Sequence, residues 1–77
     1  MTSATNRLYP LFDRTSGRWV IDGRDIHCGD CFQVRRDDGP WHDVRAEHSN
    51  YCGWYLIGLP PKSDTGNFDL YEARWYS

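Results

Sequence analysis

Turn formers punctuate this chain at spacings that leave room for short strands. The pairs Ser16-Gly17, Asp22-Gly23, Gly29-Asp30, Asp38-Gly39 and Pro60-Pro61 recur along it. Gly supplies positive φ, Asp bonds its own backbone, and Pro cannot donate to a ladder. Between the turns lie residues 18–21, 31–36, 41–47, 54–59 and 70–76, each rich in aromatic or β-branched residues. None carries a helical stripe, so the pattern predicts an all-β domain of five antiparallel strands.

The clearest hairpin joins Phe32 to Ala46 through Asp37-Asp38-Gly39-Pro40, with the positive φ of its tight turn expected at Gly39. Its register puts Phe32, Val34, Val44 and Ala46 on one side and sends Gln33, Arg35, Arg45 and Glu47 to water. A second hairpin passes through residues 48–53 into Gly53-Trp54-Tyr55-Leu56-Ile57-Gly58-Leu59. That run is apolar on both faces, which suits a central strand or one whose second face meets a partner. Residues 60–67 read as a polar surface loop. The last strand alternates Tyr71, Ala73 and Trp75 against Leu70, Glu72 and Arg74 and is expected to close the sheet against the first as a barrel.

Residues 1–77 make a single domain, with the polar residues 1–6 expected to be flexible. A chain of this size buries only about 60% of its unfolded surface, and the four tryptophans and five tyrosines compensate with large rings. In a five-stranded barrel they compete for inward positions with Ile26, Val34, Val44, Leu56 and Ile57. Some rings are therefore expected at the surface, Trp41 beside its turn among them, with Trp54 in the core.

Several blocks together carry a resemblance: Gly17-Arg18-Trp19 with Ile21; Ile26-His27-Cys28-Gly29-Asp30 with Phe32 and Val34; Gly39 with Trp41, Arg45 and Glu47; and Gly53-Trp54-Tyr55-Leu56-Ile57-Gly58. The chain resembles an uncharacterised bacterial family of very small proteins, a domain of unknown function found on plasmids, conjugative elements and prophages. The resemblance covers most of the chain. It implies a small SH3-like β-barrel and a mobile-element setting, and it brings no activity or catalytic residue to carry over. Cys31 and the aromatic C-terminus depart from the family's usual pattern.

Cys28-Gly29-Asp30-Cys31 beside His27 also has zinc-ligand spacing, and Cys28, Cys31, Cys52 with one of His27, His42 or His48 would complete four ligands. A second Cys-x-x-Cys or Cys-x-x-His pair is missing, so strand entry is the preferred reading and no cofactor is expected. On that reading Cys28 is a buried small hydrophobe, Cys31 a partly exposed thiol and Cys52 a loop thiol. An enzyme would need Cys28 or Cys31 as thiolate with His42 or His48 as base, yet a short all-β chain offers no helix N-terminus and no deep pocket. Asp37-Asp38 reads as turn chemistry, and Asp22, Asp25 and Asp30 as loop residues bonding their own backbone.

Nine basic residues against eleven acidic ones give a formal net charge of −2, with no like-charge run. Nucleic-acid binding would depend on a local stripe of Arg35, Arg36 and Arg45 with exposed aromatics. The N-terminus lacks an apolar signal-peptide core and nothing reaches membrane-spanning length, so the expectation is a cytoplasmic protein with reduced cysteines that needs no membrane. The abundant chemistry is aromatic and Arg, the residue types that dominate protein interfaces. Trp19, Arg35, Trp41, Arg45, Tyr55 and Trp75 are the candidate surface of a non-enzymatic protein-binding module. An inhibitor of a host defence complex, of the anti-CRISPR kind, is its most concrete form, and pairing through an edge strand makes a homodimer the alternative assembly.

Overall fold

Two pairs of left-handed residues set the sharpest turns. Asp22 and Gly23 have φ of 51° and 74° and join Ile21 to its partner Arg24 in the two-residue connection that matches strand twist. Asp37 and Asp38 have φ of 55° and 58°, and the Gly39 N–H donates to Arg36 O at 2.9 Å across them. The positive φ expected at Gly39 thus falls on the two aspartates before it. Asp tolerates this conformation because its short side chain can hydrogen-bond locally.

The computed structural model describes residues 7–76, so the expectation about residues 1–6 lies outside the described residues. Its strands are β1 Leu11–Asp13, β2 Arg18–Ile21, β3 Arg24–Asp25, β4 Cys31–Arg35, β5 His42–Ser49, β6 Gly53–Ile57 and β7 Glu72–Arg74, with one 3-10 turn at Phe68–Leu70. They form two antiparallel sheets, one in the order β1-β2-β3 and one in the order β6-β5-β4-β7. The all-β class holds.

The ladders do not close into a five-stranded barrel. The last strand pairs with β4 at the edge of the larger sheet rather than with the first strand, which pairs with β2 in the smaller one. Strand β6, whose run of apolar residues suited a central strand or one whose second face meets a partner, is an edge. Both edges of the larger sheet are nonetheless shielded at one point: the Leu56 N–H donates to Thr65 O at 3.0 Å and the Ala73 N–H to Leu8 O at 2.8 Å. Such cover blunts the tendency of open edges to template other chains.

The inward register is as the alternation requires. Phe32 pairs with Val44, Val34 with Ala73, and Ala46 with Leu56. All six are buried, together with Ile21, Ile26, Phe68 and Tyr71. Burying a side chain of the Phe or Ile class contributes about 1.5–3 kcal/mol.

Aromatic side chains join the sheets. Trp19 of β2 stacks on Phe68 at 5.3 Å and meets Phe12 edge-on. Trp75 meets Phe32 edge-on at 5.5 Å, and its indole N–H donates to Ile21 O at 2.9 Å. The Trp54 indole N–H donates to Gly17 O at 3.0 Å. The loop over residues 60–67 is secured from below by the Tyr71 hydroxyl, which donates to Asp64 O at 2.7 Å.

Gly58 ends β6 with φ of 114°, and a Cβ there would overlap the Asp43 carbonyl oxygen. Gly66 has open space around it and ordinary φ. Gly58→Ala is therefore expected to destabilise the fold by about 1–3 kcal/mol or more, and Gly66→Ala to stay within about 0.5 kcal/mol. Urea midpoints of the two variants check this; equal midpoints would remove the steric argument.

Candidate functional site

The outer face of the four-stranded sheet gathers most of the chemistry that the core leaves over. Because side chains alternate, Cys31, Gln33 and Arg35 of β4 lie beside Asp43, Arg45 and Glu47 of β5, Tyr55 and Ile57 of β6, and Glu72 and Arg74 of β7. This face divides into two halves.

One half is locked by its own partners. Arg35 Nε lies 2.8 Å from Glu72 Oε1, and Arg7 approaches the same carboxylate oxygen at 3.3 Å while also pairing with Asp38. The Asp38 carboxylate, through hydrogen bond and charge, raises the Arg7 pKa further. Two cations lie against the Trp41 ring, with the Arg35 guanidinium 4.7 Å and that of Arg74 3.9 Å from the ring centroid. Arg74 Nε then donates to Gln33 Oε1 at 2.9 Å, and Gln33 Nε2 to Asp43 Oδ1 at 2.9 Å. The Tyr76 hydroxyl donates to the same Asp43 oxygen at 2.6 Å.

These two donors, Tyr76 first and Gln33 second, hold the Asp43 carboxyl below its ordinary value. The same bond raises the Tyr76 phenol. The two directions agree, since a bond to the carboxylate favours charged Asp43 and neutral Tyr76 alike.

The other half is open and apolar. Cys31, Arg45 and Ile57 lie in one cross-strand row and, with Asp43, Val44 and Tyr76, line a shallow groove of about 260 Å³. Ile57 is 42% exposed and Tyr76 52%. Arg45 pairs with Glu47 at 2.9 Å on its rim, and the half-buried Tyr55 lies across from Glu47.

Of the expected surface residues, the fold brings Arg35, Trp41, Arg45 and Tyr55 to this face. It takes Trp19 and Trp75 away, since both pack against the core cluster. Trp54, expected in the core, also packs against it from a half-buried position. Ile57 and Tyr76 escaped the sequence reading as site residues. Ile57, counted among the residues competing for inward positions, instead faces outward beside the buried Leu56, and nothing local marks Tyr76, whose place depends on the chain crossing back beside β4. Each arginine of the candidate basic stripe has a carboxylate neighbour: Glu72 for Arg35, Glu47 for Arg45, and, more loosely at 3.9 Å, Asp37 for Arg36.

The cysteines are dispersed. All three are exposed, including Cys28, for which burial was expected. Ile26 takes the buried position. The turn after it is clamped by Gly29 N–H to Ala46 O, Ala46 N–H to Asp30 O, and His27 N–H to Asp30 Oδ2 at 2.8 Å, which leaves Cys28 at the tip. Cys31 lies in the outer groove, and Cys52 Sγ sits 3.0 Å from Ser49 Oγ in the β5–β6 turn. Among the described residues no three His, Cys, Asp or Glu side chains converge to hold a metal ion, and no helix is long and apolar enough to cross a membrane.

A family model described as Domain of unknown function (DUF5348) matches residues 11–75. The chain belongs to this family. The match runs from β1 to just past β7, so the DUF5348 domain contains both sheets, with Arg7 and Tyr76 of the outer face lying outside the matched span. No curated protein and no solved structure matches the chain.

Two outcomes follow from this geometry. A lowered folded pKa means that Asp43 stabilises the fold above its ordinary value of 3.8, and that this contribution is lost as the pH falls through the folded pKa. Asp64, lowered first by Asn67 and also by the Gly66 and Asn67 backbone N–H groups, acts in the same direction. Denaturant midpoints between about pH 5 and 2 should fall with acid, less steeply in Asp43→Asn; an unchanged slope would show that the Asp43 bonds do not act in solution. Thiol titration under native conditions should count three reactive cysteines per chain, and a count of two or fewer would contradict the exposure of all three.

Proposed function

We propose that the chain is a non-enzymatic protein-binding module that uses the apolar half of its outer sheet face. The observation that carries this reading is the exposure of Ile57 and Tyr76 around the Cys31–Arg45 groove. The outward face of an antiparallel sheet is ordinarily polar, and on this sheet the polar half is already saturated by its own ion pairs and stacks. A partner's apolar side chain fits the groove, with Arg45, Glu47 and Asp43 supplying the charged rim that fixes orientation. We also read the two sheets as an opened SH3-like barrel, bridged by the Trp54 and Trp75 indoles in place of a strand ladder. The most concrete form of the function is inhibition of a host RNA-guided defence complex, which rests on the small size of the chain and on its resemblance to mobile-element proteins.

Immobilised protein should retain such a complex reconstituted from purified parts. Ile57→Glu and Arg45→Glu should abolish retention. The Arg45–Glu47 pair is worth about 0.2–1 kcal/mol at such exposure, so Arg45→Glu should remain folded, and far-UV circular dichroism confirms it. Arg35→Gln, inside the locked half, should retain the complex. Loss of retention in Arg35→Gln alone would move the interface to the other half, and retention by all three variants would remove the face altogether. Sedimentation at rising concentration covers the homodimer, whose disappearance in Ile57→Glu would make a second copy the occupant of the groove.

A further inference from the structure

Where the two sheets meet at the β1–β2 turn, the fold leaves a second cleft, separate from the outer face. The inward row of β5 continues beyond Val44 and Ala46 to His48, whose partner on β6 is Trp54. The pair overhangs the turn, fixed there by the indole bond to Gly17 O, with the two rings edge-to-face at 5.1 Å. The cleft of about 240 Å³ is lined by Ser16, Gly17, Arg18, Cys28, His48 and Trp54.

No carboxylate is among these residues. Arg18 is half-buried and pairs with no acidic side chain among the described residues. Its guanidinium makes one long bond, Nη1 to Ile26 O at 3.5 Å. Asp13, its cross-strand neighbour, uses its carboxylate on the Thr15 N–H at 2.9 Å. By contrast Arg7, Arg35 and Arg45 all have carboxylate partners, and Arg24 and Arg74 each lie over an indole ring. A half-buried arginine that lines a cleft and has no carboxylate within ion-pair distance among the described residues is the arrangement that an anionic ligand completes.

We propose that this cleft binds a small oxyanion, a carboxylate or phosphate group, with Arg18 as its principal partner. The Ser16 hydroxyl and the His48 ring supply further donors at the rim, and Trp54 closes one side. Planar recognition of this kind suits the guanidinium fork, which presents paired N–H donors to two oxygens at once. The proposal does not depend on the outer-face interface.

The test is a titration of the ¹⁵N-labelled protein with sodium phosphate, and separately with sodium acetate, against sodium chloride at constant ionic strength. The Trp54 indole N–H and the Gly17 amide are the reporters. Saturable shifts with phosphate or with acetate, absent with chloride, are expected, and the two arms tell which oxyanion the cleft takes. Arg18→Gln should weaken binding about tenfold or more, the usual worth of a charge-assisted bond, while Arg18→Lys should retain part of it. The Trp75 indole resonance reports that each variant is folded. If Arg18→Gln fails that check, His48→Gln takes its place and is expected to weaken binding. No saturable shift with either anion, or equal binding by the folded variant, overturns the proposal.

Discussion

Two indole N–H groups reaching from one sheet to the backbone of the other hold this fold together. Neither sheet is self-sufficient: three strands of two to four residues and four strands of three to eight each need a second layer to cover their apolar faces. Trp75 caps Ile21 O and Trp54 caps Gly17 O, satisfying carbonyls in and beside β2 while laying ring surface across the seam. Phe68, carried by the 3-10 turn, fills the remaining space against Trp19. Tryptophan suits this role because it combines a large apolar body with one donor that must find a partner when buried.

That division of labour shapes the outer face. With Trp19, Trp54 and Trp75 engaged at the seam, the fourth tryptophan, Trp41, lies against the guanidinium groups of Arg35 and Arg74, this chain's own cations. The Arg74–Gln33–Asp43–Tyr76 chain of hydrogen bonds then sets the border between the locked half and the open groove. The Asp43 carboxylate joins the two halves: it anchors the tyrosine whose ring forms one wall of the groove.

Much of the strand pattern was legible in the sequence. Period-2 alternation placed Phe32, Val34, Val44 and Ala46 inward and Gln33, Arg35, Arg45 and Glu47 outward, because only one face of these strands is apolar. The short β1 and β3 were not legible, since strands of three and two residues carry too little periodicity to read. Nor was the edge position of β6: an apolar run on both faces is compatible with a covered centre or an uncovered edge, and pairing alone distinguishes them. Cys28 misled because burial was assigned from its residue type, as a small hydrophobe, whereas the turn clamped by Asp30 leaves it exposed at the tip.

The sequence by itself determined the all-β class, the turn positions and the inward register, all of which depend on residues within a few positions of one another. Tertiary structure decided which tryptophans serve the core, how Arg35 and Trp41 became locked, and why Ile57 and Tyr76 share one groove with Cys31. It also decided that Arg18 faces a cleft without a carboxylate. These outcomes depend on groups such as Trp75 and Ile21, or Arg35 and Glu72, that are far apart along the chain, and only packing brings them within bonding distance.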